Sequence, residues 1–190
     1  MTDVRETQMA ITALDIRPLR ASAVDHAEAA RLKQRFSELK KIREPFYLTG
    51  LEFDQILKWK LRGQYGRQQA SRSLNTEDVI RAVTNLALNI THNDQDYELE
   101  LRMGLLTCLR GVGIPVGSAI LALVFPEKYA VIDFRGWRQL IGDLKSSFSL
   151  SDYKRYMTEI RRLALELNWL PEEVDLAIWE YDRRNGPRRV

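Results

Sequence analysis

The chain has 190 residues, of which 45% are hydrophobic and 29% are charged, and its formal net charge is +3 at pH 7. This composition is ordinary for a folded globular domain and too apolar for an intrinsically disordered chain. No apolar run approaches the roughly 20 residues that span a bilayer, and the first residues lack the basic-then-apolar order of a secretion signal. We therefore expect one globular domain with a sizeable core, located in the cytoplasm.

The composition also limits the metal and cofactor chemistry. Cys108 is the only cysteine, so the chain can form no internal disulfide and cannot supply the thiolates of an iron–sulfur cluster or a zinc knuckle. It lies in an apolar stretch, which favours a buried, inert thiol. His26 and His92 are the only histidines, and their polar surroundings favour surface positions. We expect no metal and no other cofactor.

The predicted elements are all helices, because apolar residues recur at three- and four-residue steps and no segment alternates like a half-buried strand. Residues 1–20 lack clear periodicity and contain Pro18, which predicts a flexible N-terminal arm. Residues 21–190 then form the helical domain, beginning with a charged helix over about 23–41. The all-α class follows from this pattern.

Caps and apolar stripes mark the later helices. Thr49 and Glu52 form a capping-box pattern, and Asn75 with Thr76 can cap the next helix. Residues 99–109 form a further apolar helix, and Pro171 begins the last one at a favoured first-turn position. The predicted stripes are Val79, Val83, Leu86, Ala87 and Ile90, then Tyr153, Tyr156, Met157, Ile160, Leu163, Ala164 and Leu167, and finally Val174, Ala177, Ile178 and Tyr181.

A glycine hairpin between two apolar helices is the first functional motif. Two helices joined so briefly point free backbone N–H groups into one concavity, where an anionic phosphate can bind. On Gly-Val-Gly alone, a plain helix connection with a glycine C-cap is the favoured interpretation, because short glycine motifs are weakly specific. The hairpin residues are Leu109, Gly111, Val112, Gly113 and Ile114.

A lone carboxylate, Asp133, follows the second of these helices. It comes after two β-branched residues, at the point where the next helix should begin. The structural interpretation of such an aspartate is a helix N-cap, which stabilises a fold by about 1 kcal/mol. A cap and a catalytic role can coexist.

This order of hairpin, buried helix and aspartate resembles the helix-hairpin-helix (HhH-GPD) DNA glycosylases of the endonuclease III superfamily. Leu109, Gly111, Val112 and Gly113 match the family's hairpin, whereas Arg110 replaces its usual proline. Asp133 lies 18 positions after Pro115, in register with the family's aspartate. The resemblance covers roughly residues 101–140 and implies an HhH-GPD-like fold in which the hairpin grips the DNA backbone and Asp133 serves the chemistry.

The residue at position 115 bears on the reaction type. Lyase members of the family carry a lysine there, and Pro115 cannot form a Schiff base. The resemblance therefore implies a monofunctional enzyme in which water attacks C1′ and leaves an abasic site. Asp133 would stabilise the oxocarbenium-like charge and orient or deprotonate the water.

A base must leave the duplex to reach such a site, which requires a stacking pocket and a gap-filling side chain. Trp59, Gln64, Tyr65 and Trp137 are the candidates for these two roles, although either tryptophan can equally be a core residue. Candidate phosphate contacts are Arg62, Arg67 and Arg135, and Arg135 with Arg138 can instead pair with acidic residues of neighbouring helices.

The leading hypothesis is thus a monomeric DNA glycosylase that acts on double-stranded DNA with a damaged or modified base, in repair or in defence against modified phage DNA. Two alternatives stay open: a non-catalytic helix-hairpin-helix DNA-binding module in which Asp133 only caps a helix, and a helical protein that uses the fold for protein interactions.

Overall fold

The computed structural model describes residues 11–20, 27–142 and 144–186 of the chain. These residues form ten α-helices and two 3₁₀ segments, with no strand among them, which confirms the all-α class. The helices are α1 (Ala13–Ile16), α2 (Ala27–Ile42), α3 (Gly50–Leu61), α4 (Gln69–Arg72), α5 (Glu77–Asn89), α6 (Gln95–Leu106), α7 (Ile114–Val124), α8 (Phe134–Ile141), α9 (Leu150–Leu167) and α10 (Pro171–Asn185), and the 3₁₀ segments are η1 (Arg17–Leu19) and η2 (Arg62–Gln68).

Helix α7 is the centre of the core. All its residues from Val116 to Val124 are buried, and it packs against α2, α3 and α6. The close approach of α6 depends on Gly117, because a Cβ there would collide with Met103 Sδ. Since α7 is enclosed, the hairpin before it and the connection after it are both attached to a rigid element.

The predicted helix starts are largely confirmed. Thr49 caps α3 in a reciprocal capping box, since its hydroxyl accepts from Glu52 N and the Glu52 carboxylate accepts from Thr49 N. Thr76 caps α5, and α10 begins at Pro171. The stripe of α9 is buried at every predicted position. These features could be predicted because they depend on residues close together in sequence.

Residues 11–20 correct the prediction of a flexible arm. Ile11, Ala13, Ile16 and Leu19 are buried, and the Ile11 amide donates to Gln139 O at 3.1 Å. The two short helical segments here are too brief to show a stripe in the sequence. Residues 1–10 lie outside the described residues.

Three local predictions also require correction. The face of α5 is rotated: Val79 and Leu86 are 44% and 59% exposed, whereas Ile80, Thr84, Ala87 and Leu88 are buried. Thr84 is tolerated inside because its hydroxyl donates to Ile80 O and accepts from Leu48 N. Helix α6 ends at Leu106, three residues early, and Cys108 is exposed in the connection that follows.

The predicted glycine hairpin is present between α6 and α7. Gly111 has φ 77°, a conformation that favours glycine, and a Cβ there would lie 2.5 Å from Arg72 Cγ. The Asn75 side chain brackets the turn, because it donates to Arg110 O and accepts from Arg110 N, both at 2.9 Å. The hairpin is therefore fixed against the segment that joins α4 to α5.

Gly111→Ala is expected to lower the free energy of unfolding by about 1–3 kcal/mol, because it adds a strained φ to a collision with Arg72. Gly113→Ala is the matched control: φ is −93° and the nearest atom to a new Cβ is Pro115 Cδ at 3.9 Å. Urea unfolding followed by far-UV circular dichroism measures both. Equal losses in the two variants would contradict this account of the turn.

Candidate active site

Asp133 is the N-cap of α8, as its position in the sequence predicts. Its Oδ1 atom accepts from the backbone amides of Arg135 and Gly136, each at 2.9 Å. The cap uses one carboxylate oxygen, and the side chain also lines the space between α3, α8 and α10. The capping interpretation is confirmed, and it leaves the carboxylate accessible to a second role.

The connection before Asp133 is held at four successive points. Tyr153 OH donates to Ala130 O at 2.9 Å, the Val131 amide donates to Asp175 Oδ2 at 3.1 Å, and the Ile132 amide donates to Ser118 Oγ at 3.1 Å. The Lys60 amine donates to Ile132 O at 3.4 Å. Because α3, α7, α9 and α10 each supply one of these contacts, the position of Asp133 is determined by the whole core.

A buried acid fixes α8 against α10. Asp182 is 1% exposed and accepts from the side chains of Arg135, Arg138 and Gln139. A buried charge is tolerated when it is paired and hydrogen-bonded in this way. The same contacts show that Arg135 and Arg138 pair with a neighbouring helix, one of the two roles that the sequence allows.

An inner cavity of about 280 Å³ lies beside Asp133. Its walls include three aromatic side chains, Trp59 on α3, Phe134 on α8 and Trp179 on α10, and its charged members include Lys60 and Asp175. The Arg135 guanidinium carbon lies 5.0 Å from the centre of the Trp179 ring. Aromatic walls with a few charged groups are typical of a site for a flat, polar ligand.

An outer groove of about 630 Å³ meets the inner cavity at Lys60, Asp133 and Phe134, which line both. The groove also contains Gln64 from η2 and Pro115 from the first turn of α7. Leu144, which is 87% exposed, and Lys145 line it as well. The groove therefore joins the hairpin end of α7 to the carboxylate.

Lys60, Asp133 and Asp175 form an electrostatically coupled cluster. Burial lowers the pKa of Lys60, and the charge of Arg62 acts in the same direction, whereas Asp133 and Asp175 act against it. Burial raises the pKa of Asp175 to about 7, the charge of Asp133 adds to this effect, and hydrogen bonds from Tyr156 and Val131 oppose it. The site thus contains an amine and a carboxyl whose charges are both disfavoured by burial.

The structure separates the four base-pocket and gap-filling candidates into two pairs. Trp59 lines the inner cavity and Gln64 lines the outer groove, so both lie near Asp133. Trp137 is 2% exposed and packs on Phe148 with ring centres 5.6 Å apart, so its assignment to a base pocket is wrong and its role is in the core.

Tyr65, the remaining candidate, lines neither the cavity nor the groove. Its hydroxyl donates to Asp54, and the Arg72 guanidinium carbon lies 4.7 Å from its ring centre. Tyr65 therefore faces a different surface from Asp133, because it packs on α3 and α4.

The three phosphate-contact candidates have different environments. Arg62 lines the inner cavity, and its φ of 44° is unusual for a residue with a side chain. Arg67 is exposed on η2, whereas Arg135 is paired with Asp182. Arg62, Arg67 and the hairpin's Arg110 form no ion pair with any described residue.

The hairpin residues have the burial expected of a supported turn. Leu109 and Val112 are buried and attach the turn to the core, and Ile114 is partly buried. Gly113 is exposed and is the N-cap of α7. Within the described residues, the amides of Gly111, Gly113 and Ile114 have no protein acceptor, so they remain able to bind an anion.

Four residues of the site were not assigned to it from the sequence: Lys60, Phe134, Asp175 and Trp179. Asp175 and Trp179 lie four residues apart on α10, and Asp175 is an acid next to the predicted apolar stripe. A charged residue beside a buried face could have indicated a functional group. No local signal distinguishes Trp179 from the core tryptophan Trp137.

The described residues contain no group of three or more His, Cys, Asp or Glu side chains arranged to hold a metal ion. Among the described helices, none combines the length and the apolar composition that a membrane span requires. No protein-family model, curated protein or solved structure matches the chain.

The raised pKa of Asp175 predicts a pH-dependent stability. An unfolded aspartate has a pKa of about 3.9, so between about pH 4 and pH 7 the folded chain holds a proton that the unfolded chain has released. Linkage then requires that the contribution of Asp175 to the free energy of unfolding is complete below about pH 4. This contribution falls by about 4 kcal/mol as the pH rises from 4 through 7.

Asp175→Asn is expected to lack this dependence, so its difference in unfolding free energy from the wild type should change between pH 4 and pH 7. Asp152→Asn is the control. Burial would raise the pKa of Asp152, but hydrogen bonds from Lys145 and Ser149 lower this pKa to about 2. The contribution of Asp152 to the free energy of unfolding is therefore lost only below about pH 4. A pH-independent difference for Asp175→Asn would exclude the proposed titration.

Proposed function

We propose that the chain is a DNA N-glycosylase that flips a damaged or modified base out of duplex DNA and cleaves its N-glycosidic bond at Asp133. The observation that carries the proposal is the junction of the outer groove with the inner cavity. Asp133 lies at this junction, where the sugar of a nucleotide would stand if its base entered the cavity and its phosphates followed the groove.

The inner cavity supplies the contacts that an extruded base requires. Trp59, Phe134 and Trp179 offer aromatic faces for stacking, and the charged groups that line the cavity can contact the polar edge of a base. Gln64 and the exposed Leu144 lie on the groove, where a side chain could fill the gap that the base leaves in the duplex.

The hairpin supports a role in holding the phosphate backbone. The amides of Gly111, Gly113 and Ile114 have no acceptor among the described residues, and Pro115 in the first turn of α7 lines the same groove as Asp133. The resemblance to the HhH-GPD glycosylases supports the same two roles, in which the hairpin binds the DNA backbone and the aspartate carries out the chemistry.

The chemistry follows from the charge that develops on the sugar. As the glycosidic bond breaks, C1′ and the ring oxygen acquire positive charge. The Asp133 carboxylate is fixed by two backbone amides and lies partly out of water, so it stabilises this charge without having to reorganise. It can also accept a proton from the attacking nucleophile.

Asp133→Asn is expected to lower base release about 100-fold or more, because it removes the negative charge and keeps much of the cap. Mass spectrometry of free base measures this on duplexes carrying a panel of modified bases and on modified phage DNA. Asp94→Asn is the matched control, since Asp94 caps α6 with the same two-amide geometry outside the cavity and groove.

Both variants should remain folded by circular dichroism, and Asp94→Asn should release base at the wild-type rate. Normal release by Asp133→Asn would remove the catalytic assignment. DNA binding without release from any substrate would identify the non-catalytic helix-hairpin-helix module instead.

DNA affinity is expected to fall with salt, because phosphate contacts release counterions. Arg62→Gln and Arg67→Gln should each reduce the slope of log K against log salt by about 1, with equal effects on all sequences. Arg162→Gln is the control, because Arg162 is already paired with Glu159 and Glu166. Fluorescence anisotropy over a salt series measures the slopes, and salt-independent binding would argue against the phosphate role.

A further inference from the structure

The amine of Lys60 stands inside the candidate active site. Lys60 belongs to the last turn of α3 and lines both the inner cavity and the outer groove, as Asp133 does. Its amine has only a long hydrogen bond, 3.4 Å, to Ile132 O, and it forms no ion pair with any described carboxylate. A weakly held amine that faces a cavity is free to contact a ligand.

The environment of Lys60 favours a reactive amine. Burial lowers its pKa, so a larger fraction is neutral and nucleophilic than for a lysine in water. Lys58, two residues earlier on the same helix, is by contrast an exposed lysine with a carboxylate partner. Its ammonium is paired with Asp54 at 2.7 Å, and this pairing raises its pKa.

We propose that Lys60, instead of water, is the nucleophile that attacks C1′ in the reaction proposed above, so that the enzyme forms a covalent imine with DNA. This inference rests on the proposed glycosylase function and reverses the expectation drawn from Pro115. That expectation holds for an amine supplied by α7, whereas Lys60 belongs to α3 and lines the same cavity and groove as Asp133.

The step balances without any further reactant. The Nζ lone pair forms a bond to C1′ while the bond from C1′ to the base breaks and its electron pair leaves with the base. The C1′–O4′ bond then breaks as the C1′=Nζ imine forms. Of the two amine protons, one passes to the departing base and the other to O4′, both through the Asp133 carboxylate.

Reductive trapping on a preformed abasic site tests the role of Lys60 without knowledge of the target base. The sugar aldehyde condenses with the amine and releases water, and cyanoborohydride then reduces the imine to a stable amine. The protein is incubated with an abasic duplex and cyanoborohydride, the adduct is quantified on a denaturing gel, and peptide mass spectrometry identifies the modified lysine.

The expected result is an adduct on Lys60 that falls at least tenfold in Lys60→Arg and persists in Lys58→Arg, the matched control. The mapping on the wild type does not depend on how the variants fold. An absent adduct, or one that maps to another amine, would overturn the proposal. Because the abasic duplex has no base to release, such a failure leaves the base-release assay of the proposed function unaffected.

Discussion

A buried carboxyl group, that of Asp175, joins the two sides of the candidate site. It receives hydrogen bonds from the Val131 amide and from Tyr156 OH, and so ties the connection before Asp133 to α9 and α10. Helix α8 lies close to Tyr156, since a Cβ on Gly136 would collide with Tyr156 Oη. Any movement of Asp175 would therefore displace the catalytic candidate as well as the cavity wall.

The site contains features that do not favour folding on their own. Lys60 and Asp175 are ionisable groups whose burial disfavours their charged forms, and Arg62 has a backbone conformation that residues with a side chain rarely adopt. The enclosed helix α7 and the paired acid Asp182 stabilise the surrounding structure. Strain and desolvation are thus concentrated where the proposed chemistry occurs, and hydrophobic burial elsewhere offsets them.

Local sequence signals predicted the parts of the fold that depend on neighbouring residues. The caps at Thr49, Thr76 and Asp133 were predicted because a side chain and the amides it binds lie within three residues of each other. The glycine turn was predicted for the same reason. Helix starts, including the one capped by Asp133, could therefore be located without knowledge of the tertiary structure.

The lining of the cavity could not be predicted in this way, because it depends on which helices meet. Trp137 and Trp179 are both partners of nearby arginine side chains, yet only Trp179 faces the cavity. Lys60 is a lysine in a charged helical segment, and nothing in its neighbours shows that it lines a cavity together with residues of α7 and α10. The rotation of α5 has the same origin, since tertiary packing buries Thr84 in place of an apolar neighbour.

The distribution of charge bears on the DNA partner proposed above, because the net charge of the chain is only +3. On α9 and α10, Arg161 pairs with Asp96, and Glu180 pairs with both Arg183 and Arg184. These pairs cancel much of the positive charge on that side of the chain. Around η2 and the hairpin, Arg62, Arg67 and Arg110 form no such pair with a described residue, and Asn75 joins the hairpin to the segment between α4 and α5. These three arginines therefore remain available to the phosphate backbone of the proposed DNA partner.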